Sequence, residues 1–72
     1  MKVPVVLEYQ FGIILTAKGF MNSKRGICLA EEYFVETARQ AGMDMDENTV
    51  QMCLEDGLYE QGDYQVWLIY TS

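Results

Sequence analysis

From Val3 to Ala17 every odd position is apolar: Val3, Val5, Leu7, Tyr9, Phe11, Ile13, Leu15 and Ala17. The even positions, Lys2, Pro4, Glu8, Gln10, Gly12, Thr16 and Lys18, are polar or small, with Val6 and Ile14 as the exceptions. A period of two belongs to a strand with one buried face; a helix would scatter these side chains around its circumference. Fifteen residues exceed the usual strand of about five or six. The run is therefore expected to bend or fold near Gln10-Phe11-Gly12 into two segments. Pro4, which lacks an amide donor, suits the beginning or edge of a sheet.

Residues Gly19 to Gly26 read as a loop in which Asn22-Ser23 offers a helix cap. Ile27, Ala30, Phe34, Ala38 and Ala41 then recur at steps of three and four, with Glu31, Glu32, Glu36, Arg39 and Gln40 on the other face. This predicts a helix ended by a left-handed Gly42. Lys24 and Arg25 oppose the positive end of the helix dipole and are expected before the first turn. Asp44 and Asp46 are both good caps for a second helix that reaches Asp56 and stops at Gly57, with Val50, Cys53 and Leu54 on its buried edge. The rival there is a strand, because Val50, Met52 and Leu54 also alternate. Leu58-Tyr59-Glu60, a turn through Gln61-Gly62 and a strand from Tyr64 to Tyr70 complete the chain as a hairpin, with glycine at the second turn position. The predicted fold is one α+β domain over residues 1–72: a small two-layer body, an antiparallel or mixed sheet with two helices on one face, in the order β-(β)-α-α-β-β. In the last strand Trp67 and Ile69 leave a second apolar side, which should meet something other than the helices. With Val6 and Ile14 they could form a patch on the far side of the sheet.

Seventy-two residues bury only about 60% of their extended surface. Half the residues are apolar, too many for a disordered tail. So small a core leaves room for a homodimer that adds burial. Glu8 and Gln10 interrupt the first apolar run and no small-residue cleavage site follows, so neither a signal peptide nor a membrane span is expected. The expected location is the cytoplasm. Cys28 and Cys53 then read as two buried thiols.

Charge changes the picture most. After Arg39 there is no lysine or arginine, while residues 40–72 hold seven acids: Asp44, Asp46, Glu47, Glu55, Asp56, Glu60 and Asp63. The first 39 residues sum to +1 and the rest to −7, giving the net −6. A one-signed half draws basic surfaces and repels nucleic acid. The chemistry of catalysis is missing: there is no histidine, the only serines are Ser23 and Ser72, and no glycine-rich phosphate loop occurs. Asp44-Met45-Asp46-Glu47-Asn48 could offer oxygen donors, and Glu55 falls twelfth from Asp44, but Thr49 stands where a calcium loop needs glycine. Helix capping explains the same residues, and no metal or cofactor is expected.

Ala38-Arg39-Gln40-Ala41-Gly42, Thr49-Val50 and Glu55-Asp56-Gly57-Leu58 with the following hairpin resemble the winged helix-turn-helix family over about half the chain. The segment from Gly42 to Thr49 is about two residues longer than that family's turn. The would-be reading helix carries Asp46, Glu47, Glu55 and Asp56 and no base, so the resemblance implies a topology without its DNA-binding function. Two functions fit. The first is a non-catalytic inhibitor or regulator whose acidic C-terminal half, with Trp67, docks on a basic surface of a larger protein, one that normally grips nucleic acid. Small acidic inhibitors made by viruses and mobile elements act this way as a class. The second is a self-associating structural or adaptor subunit that uses the apolar sheet face around Trp67.

Overall fold

The computed structural model describes residues 2–71. It contains β1 (Val3–Gln10), β2 (Ile13–Gly19), α1 (Lys24–Gln40), α2 (Glu47–Asp56), β3 (Leu58–Gln61) and β4 (Tyr64–Thr71). The strands form one antiparallel sheet in the order β2-β1-β4-β3, so the two hairpins meet through their β1 and β4 strands at the centre. Both helices cover one face, and the body measures 32 × 29 × 17 Å. It is an α+β domain of two layers.

The core is built on a stripe of α1 spaced by fours: Gly26, Ala30, Phe34 and Ala38 are buried. Three of these side chains are small, so the helix comes close to the sheet and lodges Phe34 in one cluster with Ala30, Val6, Val66 and Leu68. The period of two in β1 is real, but its polarity is opposite to the expectation. Pro4 and Val6 are buried under α1, while Val3, Val5, Leu7 and Tyr9 face the uncovered side and are half-buried. Val6 therefore belongs to the core and not to a patch on the far side. The odd series also ends at a bulge between Glu8 and Tyr9. There the register jumps from Glu8↔Thr16 to Tyr9↔Ile14, so Ile14 and not Leu15 shares the open face with Tyr9.

The connections carry their own chemistry. Phe11 (φ 52°) and Gly12 (φ 79°) form the two-residue β1–β2 turn, both in the left-handed region that matches the twist of a hairpin. Ser23 caps α1 by accepting from the Gly26 amide at 3.1 Å. Lys24 and Arg25 thus lie inside the first turn, contrary to expectation; the Ser23 cap and the Gly26 contact position the helix start despite the unfavourable dipole. At the other end, Met43 N donates to Ala38 O and Gly42 N to Arg39 O, and buried Met43 seals the turn. Asp46 caps α2 through the Thr49 amide, and left-handed Gly57 ends it, so the rival strand is absent. In the β3–β4 hairpin Gly62 (φ 59°) is the first of two loop residues and Asp63 the second, one position earlier than predicted, because Gln61 pairs with Tyr64. The β3–β4 hairpin is no free wing, since β4 is a central strand of the sheet. Cys28 is exposed and Cys53 half-buried, both as free thiols, so only Cys53 approaches the expected burial. Cys28 falls two residues past Gly26 and four before Glu32, off the buried stripe.

Candidate functional site

An up-and-down chain mixes the two halves of its sequence at each end of the sheet. One end collects the end of β1, the start of β2, the end of α1, the end of β3 and the start of β4. The loop from α1 joins them: a Cβ on Gly42 would come within 2.9 Å of Gln61 Oε1. This end carries Glu8, Glu36, Asp44, Asp46, Glu47, Glu60 and Asp63, seven of the eleven acids. Its only base, Arg39, is already spent on Glu36 in a two-pronged pair, Nε to Oε2 at 2.9 Å and Nη2 to Oε1 at 2.5 Å. The Arg39 hydrogen bond pulls the Glu36 carboxyl below its ordinary pKa. Lys2, Lys24 and Arg25 lie toward the opposite end, at the start of β1 and the start of α1, and Lys18, near the end of β2, places its ammonium over the Tyr33 and Phe20 rings, 4.9 and 5.7 Å from their centroids. The charge asymmetry between sequence halves thus becomes a polarity along the strands, with seven acids and one base at one end and four of each elsewhere.

The predicted site residues divide accordingly. Asp44, Asp46, Glu47, Glu60 and Asp63 come to the acidic end. Glu55 and Asp56 do not: they sit one α2 length away, ~15 Å by helical rise, near the level of Leu68, whose amide donates to Gly57 O. Several of the gathered acids have local structural duties. Asp44 accepts from the Asp46 amide at 3.0 Å, Asp46 caps α2, and Glu60 accepts from Gln65 at 2.7 Å. Trp67 lies on the uncovered sheet face beside Leu7 and Leu58, where Gln65 links it to Glu60 and to none of the other acids. Among the described residues no group of three or more His, Cys, Asp or Glu side chains is placed to hold a metal ion.

Two features of this end escaped the sequence reading. The first is a cleft of about 510 Å³ between the C-terminal half of α1 and the sheet, lined by Glu8, Tyr33, Glu36, Gln40, Gln61 and Tyr64 among others. Glu8 is fixed at its wall, accepting from Thr16 Oγ1 at 2.9 Å and from the Tyr64 hydroxyl at 2.5 Å. The period-two pattern counted Glu8 as a solvent position and gave no sign that it faces α1. The second is Phe11, 71% exposed at the tip of the first hairpin. An exposed bulky residue at a left-handed position costs ~1–2 kcal/mol relative to glycine or asparagine, the usual occupants. Phe11-Gly12 in place of Asn-Gly was the available signal.

Tyr64 yields a test of the cleft. Burial first, and then the Glu8 hydrogen bond, raise its pKa well above the ordinary tyrosine value. The folded state thus retains a proton that the unfolded chain loses. The associated stability is complete below the unfolded tyrosine pKa of ~10 and disappears as pH climbs through the raised value. An absorbance titration of the five tyrosines should show Tyr64 ionising last, together with alkaline unfolding. All five ionising together in a folded protein would contradict the cleft geometry.

No helix among the described residues is long and apolar enough to cross a membrane. Comparison with protein families, with characterised proteins and with solved structures finds no match to this chain, so its site is read from its own geometry.

Proposed function

We propose that this protein is a non-catalytic binding domain that docks its acidic end on a basic surface of a larger protein, one built to grip nucleic acid, and thereby inhibits or regulates it. The observation that carries the reading is the gathering of seven acids with one already paired base at a single end of the sheet. Such an end presents carboxylates where a basic groove expects phosphates, and its field steers association. The cleft of about 510 Å³ beside Glu8 and Glu36, with Tyr64 as an aromatic wall, would receive a lysine or arginine side chain of that surface. Phe11 supplies an exposed aromatic anchor at the same end, of the kind that contributes most to interface energies, and its backbone strain fits a residue kept for contact. The same acids repel duplex DNA, so the partner is a protein. The proposed setting is the cytoplasm.

A nuclear magnetic resonance titration with an arginine-rich peptide tests the placement. Amide shifts should concentrate at Glu8, Phe11, Asp44 and Asp63 and leave Glu55 and Asp56 nearly unmoved. A response centred on Glu55 and Asp56, or sub-micromolar binding of duplex DNA at low salt, would overturn the proposal. Phe11→Asn provides a second arm. It should raise the stability of the free protein by roughly 1–2 kcal/mol through relief of the left-handed strain, while weakening peptide binding. A gain in stability with unchanged binding would remove Phe11 from the interface.

A further inference from the structure

The face of the sheet away from the helices is apolar and nearly free of charge. Leu7, Tyr9, Ile14, Trp67 and Ile69 border a shallow trough of about 500 Å³ on it. Glu60, at the β3 margin, is the one charged side chain whose register places it there among the described strands. Three of its polar side chains are linked: Trp67 Nε1 donates to Gln65 Oε1 at 2.9 Å, and Gln65 Nε2 donates to Glu60 Oε2 at 2.7 Å. Apart from the Tyr9 hydroxyl and Glu60 at the margin, the face presents little that requires water.

We infer that a second copy of this chain covers this face, in a two-fold dimer that stacks sheet on sheet with its two acidic ends pointing in opposite directions. Area and charge argue for that occupant. Strands of eight, seven, four and eight residues, at ~3.3 Å per residue and ~4.8 Å apart, make a face of about 430 Å² in projection. Two such faces come close to the ~1,000 Å² that a specific interface needs. A partner that brings no charge to the face is required, and the same face of another copy meets that condition by symmetry.

Polarity along the strands then selects the orientation. A two-fold axis parallel to the strands would bring the two acidic ends together; an axis across them sets each acidic end beside the partner's Lys2, Lys18, Lys24 and Arg25 end. The crosswise axis avoids that repulsion. It also places the mid-strand level of Leu7 and Trp67 near the axis, so the two Trp67 rings approach each other. This inference does not depend on what the acidic end binds.

Sedimentation equilibrium on the full chain from micromolar to millimolar concentration, at low and moderate salt, tests it, with emission from the single tryptophan as a second readout. A mass near twice 8.3 kDa that persists at moderate salt, with a red shift of Trp67 emission on dilution, is the expected result. Ile14→Lys, at a 56% exposed position of the open face, should weaken association at least about tenfold while its circular dichroism stays unchanged. A monomer mass throughout with concentration-independent emission overturns the inference. So does a dimer that dissolves in moderate salt or ignores Ile14→Lys, and open-ended association overturns the closed two-fold form.

Discussion

Phe34→Ala is expected to leave the protein close to unfolding in water. Phe34 is fully buried and is the largest side chain of the cluster that joins α1 to the two central strands. Its neighbours on α1, Ala30 and Ala38, are too small to fill the space it would vacate, and Val6, Val66 and Leu68 are held by sheet pairing. Truncating a buried phenylalanine costs about 3–5 kcal/mol through lost transfer energy and residual cavity. A domain of 72 residues has in total only ~4–11 kcal/mol. With a urea dependence of about 1 kcal/mol per molar for so small a chain, the midpoint should fall by ~3 M or more. A fall below ~1 M would mean that the cluster is not the main source of stability.

Gly26→Ala carries the second largest effect, and its sign opposes helix propensity. In an isolated helix the change would gain up to about 1 kcal/mol. Here a Cβ at position 26 would lie 1.8 Å from the Met21 carbonyl oxygen, a backbone atom. The loop cannot easily retreat, because Phe20 N donates to Pro4 O at 2.8 Å on one side and Ser23 caps the Gly26 amide on the other. Displacing either anchor opens the start of α1. The expected net loss is about 2 kcal/mol, or roughly 10 °C in thermal midpoint for a domain of this size. Thermal unfolding followed by circular dichroism measures it. A variant as stable as the parent, or more so, would show that the loop between β2 and α1 is free to move.

Gly26 also marks where sequence and structure part. The α1 stripe was legible because Ala30, Phe34 and Ala38 recur at fixed steps, but its first member is a glycine, which carries no hydrophobic signal, so the helix start was placed too late. In β1 the period of two was legible and the face was not. Alternation tells which residues share a side, and only the packing of α1 decides that Pro4 and Val6 are the covered ones. The larger apolar set then lies outward, which places Trp67 and Ile69 on an open face together with Leu7 and Tyr9. Both helix stops and the α2 cap were readable because Gly42, Gly57 and Asp46 have chemical reasons to be there.

Charge was legible as a sum and not as a shape. Counting along the chain joined Glu55 and Asp56 to Asp44, although α2 separates them by its length. The same count kept Glu8 and Glu36 apart from Asp63, although strand and helix ends bring all three to one end of the sheet. The cleft between them depends on the Tyr64 bond to Glu8, a contact across 56 residues that no local pattern encodes.

The most direct measurement of the central claim is capture of partners from the source cells by three forms of the protein: the parent, Asp44→Lys with Asp63→Lys, and Glu55→Lys with Asp56→Lys. Both variants change the net charge equally, so only the location of the reversal differs. The acidic-end account predicts that the parent and the Glu55/Asp56 variant retain the same nucleic-acid-binding partner at low salt and release it to competing duplex DNA. The Asp44/Asp63 variant should lose it. Equal capture by all three forms, or loss confined to the Glu55/Asp56 variant, would contradict the claim that this protein acts through the acidic end of its sheet.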